Sequence, residues 1–216
     1  MIEQQLQLYF IMGSVNTGTA DPLKVLEAAL RGGVTCFQLR EKGHGALIGD
    51  EKRAFAEACQ TLCRHYHIPF IVNDDVELAI AIDADGVHVG QDDETAAIVR
   101  ERIGKDKILG VSVHNESEML VAIKAGADYV GMGPVYATSS KADAKPVIGT
   151  AFIRKMSSLY PTMPIVGIGG ITAANCESVL KAGALGVSII SAIALAVDPY
   201  IAARRFKVAI GKEVTS

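Results

Sequence analysis

The chain has 216 residues, half of them hydrophobic, and a formal net charge of -3. That length and composition supply one sizeable core and exclude a disordered chain; without a basic stripe, a nucleic-acid footprint is excluded too. The N-terminus carries no basic n-region, so no signal peptide is expected. The apolar stretch 182–197, interrupted by Gly183, Gly186, Ser188 and Ser191, falls short of the ~20 residues of a membrane span.

Strand-length apolar runs recur at 6–12, 35–40, 69–72, 86–89, 108–113, 129–133, 164–168 and 187–190. Most are continuously apolar, which suits parallel strands covered on both faces. Amphipathic stretches at 22–31, 50–65, 95–102, 117–125 and 173–182 lie between them. In the second of these, Phe55, Cys59, Leu62, Cys63 and Tyr66 fall at helical spacing. The two cysteines are therefore expected on a core face, since their spacing to His65 and His67 is not a structural zinc pattern. Four scattered cysteines, with Cys36 and Cys176, point to a reducing cytoplasm rather than a disulfide framework. A weak repeat, seen in Gly32-Gly33-Val34, Gly126-Ala127-Asp128 and Gly183-Ala184-Leu185, places glycine where a helix ends and a strand is about to begin. Eight strand–helix units in one domain spanning 1–216 predict an α/β (β/α)8 TIM barrel, with an open doubly wound sheet as the alternative.

In such a barrel the chemistry gathers at the C-terminal strand ends, and polar residues gather there. Gln38, Arg40 and Lys42 follow the second run, Asn73, Asp74 and Asp75 the third, and Gln91, Asp92 and Asp93 the fourth. Ser112 and His114 end the fifth, Thr138 to Lys141 follow the sixth, Gly169-Gly170 the seventh and Ser191 the eighth. Taken singly, each acidic cluster suits turn and N-cap residues before a helix. Taken together, they suit a hard cation such as Mg²⁺, which binds one or two carboxylates and completes its shell with phosphate oxygens. Arg40 and Lys42, two positions apart, project the same way from an extended strand end and match phosphate with a fork and a point charge. Gly167 to Thr172 and Ser188 to Ala192 form two adjacent loops of the kind that cradle phosphate. The 136–144 loop, with Lys145 just after it, adds hydroxyls and two lysines, Lys141 and Lys145, in the form of an active-site lid. Two phosphate regions and a carboxylate pair suggest two phosphorylated substrates, or one with phosphates at both ends; with Mg²⁺ between a diphosphate and Asp74 and Asp93, the implied reaction is departure of pyrophosphate.

With Gln38 to Lys42, Asn73-Asp74-Asp75, Gly86 to Asp93, Gly110-Val111-Ser112, Gly131 to Pro134, Thr138 to Lys141 and Ile168 to Ile171 in this order, the chain resembles the thiamine-phosphate synthase family over nearly its whole length. The resemblance implies a cytoplasmic transferase of thiamine biosynthesis. Its substrates would be 4-amino-2-methyl-5-hydroxymethylpyrimidine diphosphate and a thiazole phosphate, plain or carboxylated. It implies that Gln38, Leu39, Arg40, Glu41, Lys42 and Asn73 contact the pyrimidine diphosphate, that Asp74 and Asp93 hold Mg²⁺, and that Ser112 and Lys141 contact the diphosphate. Thr138, Ser139 and Ser140 would meet the thiazole, whose phosphate would rest on Gly170, Ile190 and Ser191. Arg40, Lys42, Ser112 and Lys141 would be the catalytic groups of a dissociative reaction, in which pyrophosphate leaves and the thiazole nitrogen captures a pyrimidine methyl cation. The chain departs from the family pattern at Ala137, at Ser140 and in the small Gly43-His44-Gly45-Ala46 loop. No nucleic acid or membrane partner is expected, and a homo-oligomer is left open.

Three alternatives remain at this point: a thiazole tautomerase of the same superfamily, a non-catalytic phosphate-ligand-binding barrel, and a sugar-phosphate isomerase. The first uses a histidine where this chain has Pro134, the second would be favoured by a missing ligand, and the third does not need two acidic clusters.

Overall fold

The apolar runs become strands β1 Leu8–Met12, β2 Cys36–Leu39, β3 Phe70–Asn73, β4 Gly86–Val89, β5 Ile108–Val113, β6 Tyr129–Met132, β7 Ile165–Ile168 and β8 Gly186–Ile189. This is seen in a computed structural model that describes residues 2–138 and 146–211. Every neighbouring pair is parallel, and β8 returns to β1 with Leu8 opposite Val187 and Tyr9 opposite Ser188. The sheet is a closed barrel in strand order β1 to β8, which removes the open doubly wound alternative. The described helices are α1 Ile2–Gln5, α2 Pro22–Arg31, α3 Gly49–His65, α4 Val76–Ala81, α5 Ala96–Ile103, α6 Glu116–Lys124, α7 Gly149–Leu159, α8 Cys176–Leu180, α9 Ser191–Ala194 and α10 Pro199–Gly211. None of them is long and apolar enough to cross a membrane.

Successive strand residues face opposite ways, and the apolar core divides accordingly. Leu8, Phe10, Met12, Phe37, Leu39, Phe70 and Val72 join the helices in the outer cluster. Tyr9, Ile11, Cys36, Ile71, Tyr129 and Val166 fill the barrel interior. Cys59 and Cys63 lie buried on the core face of α3, where burial pushes both thiols well up from the usual cysteine range.

Several boundaries differ from expectation. The first strand starts at Leu8 because residues 2–5 form a helical turn, with the Leu6 N–H donating to the Ile2 carbonyl. The third strand runs on through Asn73, which pairs with His88 in register. Helices α4, α7 and α10 fall outside the amphipathic stretches of the sequence; α10 packs on α2 and α8. Gly110 pairs with His88 on one side and Tyr129 on the other. A Cβ there would stand 2.2 Å from Tyr129 Cζ and 2.5 Å from His88 Nδ1, so glycine clears the space that both rings occupy.

Asp75 is the N-cap of α4, accepting from the Leu78 N–H at 2.9 Å, and it also pairs with Lys52 of α3 at 2.6 Å. Burial disfavours its charge, but the Lys52 and Leu78 hydrogen bonds outweigh that and hold its pKa below the usual aspartate value. A depressed acid pKa contributes stability that is full above the unfolded-state pKa and lost as pH falls through the folded one. Asp75→Ala is expected to cost about 1 kcal/mol in urea unfolding at neutral pH. Asp75→Asn, which keeps a capping oxygen without charge, should cost less, and its deficit should vanish as the pH drops through the depressed pKa.

Candidate active site

The C-terminal ends of the strands surround a cavity whose wall includes Arg40, Lys42, Asn73, Asp74, Asp93, Ser112, Thr138, Gly170, Ile190 and Ser191. These are ten of the residues expected from sequence, brought together from seven of the eight strand ends, β2 to β8. The inward face of each strand explains the selection. Gln38 faces the interior of β2, Arg40 continues that parity and Lys42 lies two residues further on. Asn73 ends β3 on its inward side, and Ser112 does so near the end of β5.

The acidic pair is built by two different turns. Asp74 sits at φ +61°, in the left-handed region that aspartate tolerates better than most residues, and its N–H donates to the His88 carbonyl at 2.8 Å. This sharp turn separates the carboxylate of Asp74, which faces the cavity, from that of Asp75, which caps α4. Asp93 closes its own turn by accepting from the Gly90 N–H at 2.8 Å. Lys42 forms an ion pair with Asp74, and its ammonium lies 3.8 Å from Asp93 Oδ1.

Two carboxylates this close cannot both ionise freely. Burial, and then the hydrogen bond shared with Asp93, raise the pKa of Asp74. Burial also works against the charge of Asp93, but the bonds from Asp74 and the Gly90 N–H, together with Lys42, lower its pKa on balance. Burial opposes the charge of Lys42 in turn, and Asp74 and Asp93 overcome it and raise its pKa. Among the described residues, the pair shares one ammonium, that of Lys42.

On the opposite wall, the loop after β7 lies directly against the loop after β6. A Cβ at Gly170, where φ is +63°, would approach the Ala137 carbonyl oxygen to 2.5 Å. Asn175 braces this loop, donating to the Gly170 carbonyl at 3.1 Å and accepting from the Thr172 N–H at 2.8 Å. The helix after β8, α9, spans only Ser191–Ala194.

Not every expected residue reaches the cavity. Gln38 is 2% exposed and donates to the Tyr9 hydroxyl inside the barrel. Leu39 points outward into the helix-facing core. Glu41 is turned into the wall, where its carboxylate accepts from the Ser14 N–H and hydroxyl and from the Leu47 N–H. Ser139, Ser140 and Lys141 lie outside the described residues. The lining also includes Ser188, an inward position of β8, and His114, just past β5. Strand parity alone could have marked Ser188. His114 is held by its neighbour in sequence, with Glu118 accepting from its N–H at 2.7 Å and lying 3.0 Å from Nδ1.

A family model described as thiamine monophosphate synthase matches residues 8–193. Thiamine-phosphate synthase of Geobacillus kaustophilus (strain HTA426) is 60% identical over 202 residues, covering 94% of this chain and 90% of that protein. The enzyme of the same name from Lysinibacillus sphaericus (strain C3-41) is 56% identical over 193 residues, covering 89% and 90%. Among solved structures, thiamine phosphate pyrophosphorylase from Pyrococcus furiosus superposes with a TM-score of 0.87 at 33% identity, covering 98% of both chains.

An acid whose pKa is raised on folding destabilises the fold where it is ionised; that cost is full above the folded pKa and gone below the unfolded one. Asp74→Asn keeps the shape and the tolerance for positive φ while removing the cost. Its melting temperature at pH 7 should equal or exceed that of the parent chain, and the difference should close on acidification. A clear loss of thermal stability at pH 7 would contradict the raised pKa.

Proposed function

The chain belongs to the thiamine monophosphate synthase family, and from that membership we propose how the cavity carries out its transfer. It is a transferase that forms thiamine phosphate. In our reading it joins 4-amino-2-methyl-5-hydroxymethylpyrimidine diphosphate to a thiazole phosphate and releases pyrophosphate, in the cytoplasm, where four buried free thiols suit a reducing medium.

The observation that carries this reading is the pairing of opposite charges on one wall, Arg40 and Lys42 against Asp74 and Asp93, facing a glycine-lined loop on the other. Arg40, Lys42 and Asn73 would take the diphosphate end of the first substrate, with the Ser112 hydroxyl beside them. Gly170, Ile190 and Ser191 would cradle the phosphate of the second, and Thr138 would border its ring. Ser139, Ser140 and Lys141 join this proposal on the strength of the sequence motif alone.

The residues fit Mg²⁺. Among the described residues two cavity-facing carboxylates share the ammonium of Lys42, and burial, followed by the hydrogen bond with Asp93, raises the pKa of Asp74, so added positive charge there would be favourable. Asp74 and Asp93 would hold the ion through oxygen ligands, leaving positions for phosphate oxygens and water. When bound, it would neutralise charge on the diphosphate. Arg40 and Lys42 would stabilise the charge that accumulates as pyrophosphate departs, which is electrostatic stabilisation of a dissociating group. The two phosphate grips would hold the thiazole nitrogen in line with the carbon that is left. No side chain need act as a covalent nucleophile. Pro134, on the cavity wall, offers no proton for a tautomerase reaction.

The test is direct. The two purified substrates and Mg²⁺ should give thiamine phosphate and pyrophosphate in equal amounts, and EDTA should stop the reaction. Asp93→Ala should lower turnover by about 10²-fold or more, as loss of a group acting on transition-state charge does, with an unchanged circular dichroism spectrum. Turnover of a carboxylated thiazole phosphate by isomerisation, with no condensation, would overturn the reading.

A further inference from the structure

Beneath the cavity floor a line of polar side chains runs from Gln38 to Ser112, and three of its members, Tyr9, Tyr129 and His88, have no role in the reaction as described. Gln38 Nε2 donates to the Tyr9 hydroxyl at 2.9 Å. The hydroxyls of Tyr9 and Tyr129 lie 2.7 Å apart, and that of Tyr129 lies 3.0 Å from His88 Nδ1. His88 Nε2 is in turn 3.0 Å from Ser112 Oγ, at the cavity wall. The chain links β2, β1, β6, β4 and β5 across the inside of the barrel. Gly110 makes it possible, because any side chain there would occupy the place where the Tyr129 hydroxyl meets the imidazole.

The chain has a direction. An amide nitrogen donates and cannot accept. The Tyr9 oxygen accepts from Gln38, and the polarity that continues from that bond has Tyr9 donating to Tyr129. The Tyr129 oxygen accepts that proton, so its own goes to His88 Nδ1. Burial raises both phenol pKa values far above the ordinary one, so neither tyrosine gives up its proton. A ring nitrogen that accepts carries no hydrogen; the imidazole hydrogen is therefore on Nε2, pointing at Ser112 Oγ. A serine oxygen that accepts from His88 turns its own proton elsewhere, and Ser112 borders the cavity.

We propose that His88 is a positioning residue, locked in its Nε2–H tautomer by the Tyr129–Tyr9–Gln38 relay, and that it turns the Ser112 hydroxyl proton toward the departing diphosphate. The proposal rests on the diphosphate reading of the cavity. It assigns Gln38 to the head of the relay, where its position inside the barrel puts it. The reverse polarity, with the Gln38 oxygen accepting, would place the hydrogen on Nδ1 and make Ser112 donate to His88 instead.

The tautomer can be read on the resting enzyme without substrates, by two-bond ¹H–¹⁵N correlation on histidine-labelled protein, with the His88 signals assigned by their loss in His88→Gln. The Nε2–H pattern is expected; the Nδ1–H pattern or an imidazolium would overturn the proposal. Tyr129→Phe keeps the ring and removes the link. It should release the tautomer and lower kcat about tenfold while KM for the pyrimidine diphosphate stays within about twofold, the mark of an interaction felt mainly in the transition state. His88→Gln, which still carries an N–H toward Ser112, should retain more activity than His88→Phe. In a Ser112→Ala background, Tyr129→Phe should lower kcat no further, because the relay acts through Ser112. Independent, multiplying losses would mean a merely structural network and would overturn the proposal. Failure of the wild-type chain to form thiamine phosphate would remove the functional reading while leaving the tautomer measurement intact.

Discussion

The backbone pairing of β8 with β1 fixes the parity of the whole molecule. Once Tyr9 stands opposite Ser188 and Leu8 opposite Val187, each strand has one set of residues inside the barrel and one set against the helices. A slip of one residue in any strand would exchange the sets, exposing Phe37 and Leu39 to the interior and pushing Gln38 into the helical layer. The apolar area buried on the outer face opposes such a slip, so the inner face can carry polar residues without losing register. Gln38, Asn73, His88, Ser112 and Ser188 all occupy that inner face. The cavity and the relay beneath it are successive levels of one arrangement.

Much of this was legible in the sequence. Continuous apolar runs revealed buried parallel strands, and polar residues clustered after them revealed the mouth. Adjacency in sequence was a weaker guide within a motif. The run from Gln38 to Lys42 reads as one contact surface, yet alternation sends Gln38 inward, Leu39 outward, and Arg40 and Lys42 to the cavity. The relay was not legible, because Tyr9 and Tyr129 are 120 residues apart and each reads as an ordinary core aromatic. Its one local trace was the glycine at position 110, and only register showed which rings it makes room for. Residue 73 could not be assigned to strand or loop by composition; its pairing with His88 settled it.

The carboxylates at the mouth follow a different logic from the core. Asp74 adopts a left-handed backbone conformation, shares a hydrogen bond with another acid and has a raised pKa, each of which works against folding. Its neighbour Asp75 caps a helix, pairs with Lys52 and has a lowered pKa. The contrast between adjacent aspartates separates a side chain placed for chemistry from one placed for stability. Lys42 serves both ends, since it compensates the acids and stands among the groups that face phosphate.

Glu41 gives the arrangement its sharpest asymmetry. It lies in sequence between the two cations, so a fully exposed strand end would present alternating charges and a weak net field. Instead its carboxylate is drawn behind the wall by the Ser14 and Leu47 backbone, and Gly13 leaves the gap that admits it: a Cβ there would stand 2.9 Å from Glu41 Oε2. An approaching polyanion therefore meets the positive members of the triplet first. The same carboxylate ties the loops after β1 and β2 to each other, so the rigidity of the cationic rim and its sign have a common origin.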